Sequence, residues 1–86
     1  MYNLEVADEL DKRFGKLAKK DSEILQRLRK KIDAIRDDPY RFKPLRKPMQ
    51  NKRRVHAGSF VLVYAIDEPR KTVKLLAFKH HDDAYR

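Results

Sequence analysis

With 86 residues, the chain has room for one small domain, and we expect residues 1–86 to form a single unit. Its 22 Lys and Arg residues outweigh 13 Asp and Glu residues, and the net charge of +9 predicts a polyanionic partner. The absence of Cys excludes disulfides, thiol catalysis and Cys-ligated zinc. No apolar run approaches the ~18 residues of a membrane span, and the N-terminus lacks the pattern of a signal peptide. We therefore expect a cytoplasmic protein without a membrane partner.

The first half of the chain predicts a short strand followed by two helices. Tyr2, Leu4 and Val6 alternate with polar residues, as in a strand. The apolar spacing then changes to steps of three and four, which is typical of one helix face: Ala7, Leu10, Phe14, Leu17 and Ala18. Asp21 or Ser22 can cap a second helix that ends before Pro39. Its apolar face holds Ile24, Leu25, Leu28, Ile32 and Ile35.

The second half predicts three strands joined by short connections. Residues 52–56 form a candidate strand with a polar face, and residues 57–59 a turn. The apolar run 60–66 is typical of a central strand. A hairpin loop at 67–71 leads into a last strand at 72–78. The order β-α-α-β-β-β predicts an α+β fold, in which an antiparallel helical hairpin packs on a three-stranded antiparallel meander that the N-terminal strand joins.

Basic residues concentrate just before and within the first strand of the meander. Residues 41–54 contain no Asp or Glu and seven cations: Arg41, Lys43, Arg46, Lys47, Lys52, Arg53 and Arg54. One interpretation is a basic edge strand that resists aggregation. The other is a phosphate-binding surface, to which His56 adds a titratable group. The cluster does not by itself distinguish RNA, DNA and an acidic protein segment.

The C-terminal tail is a second candidate site, since residues 80–85 read His-His-Asp-Asp-Ala-Tyr. The histidines lack the spacing of a metal-binding motif, so we expect neither a metal nor a cofactor. The alternatives are a polar tail without a role, or a tail in which Tyr85 packs as an anchor.

The remaining composition narrows the chemistry. The two serines do not stand in a nucleophile elbow, and two glycines do not make a phosphate-binding loop. Cations and imidazoles beside a strand suit cleavage of an RNA phosphodiester. One group takes the proton of the ribose 2′-OH, fixed cations stabilise the charge on the phosphorane, and another group protonates the leaving 5′ oxygen.

Three stretches of the second half carry a family resemblance. The basic strand 52–56 follows a Leu45-Arg46 pair, residues 62–67 read Leu-Val-Tyr-Ala-Ile-Asp, and the ending 78–85 is similar to a closing His-Arg-x-x-x-Tyr. Together with the order of elements, these stretches resemble the RelE/ParE superfamily of toxins from type II toxin–antitoxin modules over essentially the whole chain. The resemblance implies a RelE-like mRNA interferase that needs no metal, cuts mRNA in the ribosomal A site, and is neutralised by a RelB-like antitoxin with an acidic or amphipathic segment.

The same resemblance implies roles for individual residues. Lys52 and Arg54 would contact the scissile phosphate, His80 or His81 would act as acid or base, and Tyr85 would stack on or orient the substrate base. The implied catalytic residues are Lys52, Arg54, His81 and Tyr85. The implied substrate-binding residues are Arg46, Lys47, Arg53, His56 and His80.

One position departs from the family pattern. Val61 stands where many members have a catalytic Arg, which predicts reduced activity unless Arg53 or His56 supplies the missing charge. Two alternatives to a nuclease therefore stay open. One is a ParE-type inhibitor of DNA gyrase. The other is a degenerate toxin that binds RNA or protein without catalysis.

Overall fold

Two helices cover one face of a four-stranded sheet in the computed structural model of this chain, which describes residues 1–46 and 52–80. The elements are β1 (Asn3–Val6), α1 (Asp8–Lys20), α2 (Ser22–Asp37), β2 (Lys52–Ala57), β3 (Phe60–Asp67) and β4 (Thr72–His80). The predicted order of elements and the α+β class are confirmed. The last strand runs two residues past the predicted end, so His80 belongs to β4 and not to the tail.

The sheet has the order β1-β4-β3-β2, with β1 and β2 at its edges. Strands β2, β3 and β4 form the predicted antiparallel meander. The N-terminal strand joins it as predicted, and it runs parallel to β4, from the pair Asn3–Thr72 to the pair Val6–Leu75. Parallel strands need a long connection between them. Along the chain, the two helices and the strands β2 and β3 lie between β1 and β4.

The helices begin and end where local chemistry favours it. The first turn of α1 is acidic and its last turn is basic, which complements the helix dipole. Of the two candidate caps for α2, Asp21 fills the role, because its carboxylate accepts a hydrogen bond of 3.2 Å from the backbone N–H of Ile24. Pro39 stands two residues beyond the end of α2. Neither helix is long and apolar enough to cross a membrane, within the part of the chain that the structure describes.

The core lies between the helices and the sheet. Its buried side chains come from α1, α2, β2, β3 and β4: Leu10, Leu28, Ile35, Val55, Ala57, Leu62, Tyr64, Val73, Leu75 and Phe78. Val6 of β1 packs against them as a partly buried residue. Tyr64 is fully buried, and its hydroxyl donates a 2.7 Å hydrogen bond to the carbonyl oxygen of Pro39. Burial raises the pKa of Tyr64 to about 12. The loop after α2 is thereby fastened to the middle of the sheet.

A bulge in β4 changes which residues face the helices. Val63 pairs with Ala77 and Tyr64 with Leu75, so Leu76 has no partner on β3. Leu75 faces the core before the bulge, and Phe78 faces the core after it. Side chains alternate along a strand, so Lys79 lies on the face away from the helices.

Candidate functional site

The two faces of β2 carry different residues. Val55 and Ala57 are buried against the helices, and by alternation Arg53 lies on their side of the strand. Lys52, Arg54 and His56 lie on the opposite face, which no helix covers in the described ranges. The consecutive cations of the sequence are thus divided between two surfaces.

The uncovered face forms a shallow basic trough. Its floor is on β3, where Ala65, Val63 and Val61 pair with the three polar residues of β2. Its second wall is on β4, where Lys74 pairs with Ala65 and Lys79 pairs with Val61. We call this set the basic trough: Lys52, Arg54 and His56; Val61, Val63 and Ala65; Lys74 and Lys79. With neighbouring strands ~4.8 Å apart, its walls stand about 10 Å from each other.

Negative charge occurs at one end of the trough. The four strands contain two carboxylates, Glu5 and Asp67. Both approach Lys74, whose Nζ lies 3.7 Å from an oxygen of Glu5 and 3.8 Å from an oxygen of Asp67. Lys79 makes no ion pair with a described residue. Counted over residues 1–46 and 52–80, the end of the trough around Lys79 is therefore the more positive one.

Val61 lies between two polar side chains at this positive end. His56 pairs with it from β2 and Lys79 pairs with it from β4. Val61 itself is 2% exposed and carries no charge. Of the two residues named above as replacements for an Arg at position 61, His56 is on the correct face. Arg53 is on the other face.

Arg53 holds the loop that follows α2. Its guanidinium donates hydrogen bonds to the carbonyl oxygens of Tyr40, at 3.3 Å, and Phe42, at 2.5 Å. Its Cζ also lies 5.2 Å from the centroid of the Tyr40 ring. These contacts engage Arg53 with the fold on the side away from the basic trough.

Tyr40 belongs to a network that converges on Glu68 in the β3–β4 hairpin. The Glu68 carboxylate accepts hydrogen bonds from Tyr40 at 2.6 Å, from Tyr2 at 2.8 Å and from the Lys71 ammonium. The hydrogen bond from Lys71, followed by those from Tyr40 and Tyr2, lowers the pKa of Glu68 from its ordinary 4.5 to about 2. The network joins the N-terminus, the loop after α2 and the hairpin.

The other predicted site residues lie apart from the trough or outside the described residues. Arg46 is exposed, at the end of a segment that is hydrogen-bonded to β2 through Leu45 N–H and the Lys52 carbonyl, at 2.8 Å. His80 pairs with Phe60, and their rings meet edge to face at 5.6 Å on the helix side of β4. Lys47, His81 and Tyr85 lie outside the described residues.

Lys79 was missed in the sequence because regular alternation gives it the wrong face. Without a bulge, Val73, Leu75, Ala77 and Lys79 would share one side of β4, which is the side of the core. The sequence signal that could have revealed the bulge is the pair Leu75-Leu76, where two apolar residues interrupt the alternation before Phe78.

A family model and a known protein, both named as toxins, match this chain. A family model described as the ParE toxin of the type II toxin–antitoxin system parDE matches residues 3–85. A protein of Methanocaldococcus jannaschii named "Putative toxin RelE4" is 42% identical over 87 residues, which cover 100% of this chain and 93% of that protein.

Solved structures agree on the fold. The toxin–antitoxin complex RelBE2 of Mycobacterium tuberculosis contains a chain with a TM-score of 0.75 and 25% identity, covering 92% of this chain and 96% of that one. The E. coli RelBE complex contains a chain with a TM-score of 0.80 and 20% identity, covering 93% of this chain and 96% of that one.

Proposed function

We propose an activity for this chain, which belongs to the RelE/ParE superfamily of type II toxins. It is a ribosome-dependent endoribonuclease that cleaves mRNA in the A site. The observation that carries the proposal is the basic trough. It offers an RNA strand two cationic walls on a face that the helices leave uncovered, and contact with RNA falls to the wall residues where the floor residue Val61 is buried between them.

The trough supplies what phosphodiester cleavage without a metal requires. The ribose 2′ oxygen attacks the adjacent phosphorus, the O2′–P bond forms and the P–O5′ bond breaks. The products are a 2′,3′-cyclic phosphate and a 5′-hydroxyl. Lys52 and Arg54 stabilise the negative charge that gathers on the phosphorane oxygens. Among the described residues, His56 is the imidazole on the trough face, and we assign it the transfer of the proton that moves between the two oxygens.

Lys79 completes the set of cations. It stands across Val61 from His56, so it brings positive charge to the place where the uncharged floor residue brings none. A Lys and a His on either side of the floor can act on one phosphate, since the walls are about 10 Å apart. Val61 is therefore compatible with activity.

An antitoxin is the expected protein partner. The chains similar in fold include toxins in complex with antitoxins. A chain of net charge +9 is best neutralised by an acidic or amphipathic segment that covers the basic trough.

The test is induced expression followed by primer extension on mRNA from translating cells. We expect growth arrest and cuts confined to translated regions. The Lys52→Ala/Arg54→Ala double variant should abolish both. Lys79→Ala should reduce cleavage on the order of a hundredfold, as expected for the loss of one preorganised charge. Lys12→Ala is the matched control, because it removes the same charge from an exposed position of α1 that is not part of the trough.

The same experiment separates the alternatives. The matching family model is described as a ParE toxin, which keeps gyrase inhibition as the second candidate. Arrest with intact mRNA would refute the nuclease and favour that candidate. No arrest, with RNA binding retained, would identify a degenerate relative that binds without cleaving.

A further inference from the structure

A second basic depression lies beside the trough, at the outer edge of β2. It has a volume of about 400 Å³ and opens between α2, which packs against β2, and the loop before β2. Its described lining consists of Lys31, Phe42, Lys43, Arg54, Val55 and His56. Three of these side chains are basic, and there is no carboxylate among the described residues of the lining.

The chemistry of the depression fits a nucleotide. Lys31 and Lys43 stand on different segments and face the same space, as two cations that share a phosphate would. Phe42 is half-buried and contributes an aromatic surface, with the Arg41 Cζ 5.8 Å from its ring centroid. A nucleotide uses both kinds of group, because its phosphate binds the cations and its base stacks on the aromatic ring.

The depression and the trough share two residues. Arg54 and His56 line both, so a strand of RNA that leaves the trough over the edge of β2 enters the depression directly. We propose that this depression, with Lys31 and Lys43 as its phosphate ligands, binds a neighbouring nucleotide of the RNA that is cleaved in the trough. The proposal rests on the proposed function, because it concerns the same substrate.

The test measures RNA binding by the purified protein with a probe that the proposed reaction cannot cleave. A fluorescein-labelled, fully 2′-O-methylated single-stranded RNA serves this purpose, and anisotropy gives Kd over a range of salt concentrations. We expect Lys31→Ala and Lys43→Ala each to weaken binding about fivefold. Each should also lower the slope of log Kd against log salt by about 0.7, as for one lost phosphate contact on a single strand.

Lys30→Ala is the matched control. Lys30 precedes Lys31 on the same helix, is exposed and is not among the described residues that line the depression. Its replacement by Ala removes the same charge as Lys31→Ala does. Its Kd and salt slope should stay close to those of the wild type, and circular dichroism should show that all variants fold.

Each other outcome refutes a distinct claim. Equal effects of Lys30→Ala and Lys31→Ala, with binding lost in the Lys52→Ala/Arg54→Ala variant, would overturn the second site and leave the nuclease standing. Unchanged RNA binding by Lys31→Ala together with weaker antitoxin binding would make the depression a protein interface. A wild-type protein that neither binds RNA nor cuts mRNA would overturn the proposed function itself.

Discussion

Replacing Arg53 with Ala should lower the free energy of unfolding, although its neighbours in the sequence, Lys52 and Arg54, are proposed to bind RNA. In Arg53→Ala, the carbonyl oxygens of Tyr40 and Phe42 lose a charged donor and the Tyr40 ring loses a cation. Two partly exposed hydrogen bonds and one cation–π contact amount to about 2 kcal/mol. A domain of this size loses roughly 4–8 °C in Tm for each kcal/mol, so the expected fall in Tm is about 10 °C.

Thermal unfolding followed by circular dichroism measures this shift, with Lys52→Ala as the control. Lys52 precedes Arg53 and lies on the opposite face, so its removal should leave Tm within a few degrees of the wild type and abolish most RNA cleavage. The reasoning would be refuted if Arg53→Ala kept the wild-type Tm and lost cleavage, because the side chain would then act on RNA and not on the loop.

Two further predictions concern groups that hold the loop after α2. Tyr64→Phe removes the hydroxyl that donates to the Pro39 carbonyl in the core, so unfolding should become easier by about 1–3 kcal/mol in urea titrations; an unchanged midpoint would mean that water replaces the hydroxyl. For Glu68, the folded state holds the pKa at about 2, below its ordinary 4.5. Its contribution to stability is therefore fully present above pH ~4.5 and is lost as the pH falls towards 2. Tm measured across this window should decline more steeply in the wild type than in Glu68→Gln, and parallel curves would contradict the network.

The helices and the first two strands of the meander were predictable because their patterns are regular. The apolar faces of α1 and α2 are the faces that pack on the sheet, and Val55 and Ala57 mark the buried side of β2. Alternation from these two residues also places Arg53 on the buried side. The sequence could therefore have predicted that Arg53 and Lys52 lie on opposite faces of β2. A count of cations along the chain ignores this alternation, and it grouped residues that the strand separates.

The second wall of the trough was not predictable from local pattern. The face of the sheet on which Lys79 lies depends on where β4 gains one residue relative to β3. The Leu75-Leu76 pair allows a bulge but does not determine where it occurs. The parallel pairing of β1 was also beyond local pattern, because it joins residues near the two ends of the chain. Long-range pairing of this kind is selected by how the whole sheet packs and not by a short motif.

The order β1-β4-β3-β2 has a consequence for when the protein can fold. The strand between β1 and β3 is β4, which is the last of the four to be synthesised. Until it emerges, β1 has no neighbour and the trough has a single wall. Contacts between distant parts of the chain form slowly, so the sheet and the trough are completed only when β4 joins β1 and β3. The surface proposed to bind RNA is thereby the last part of the sheet to be completed.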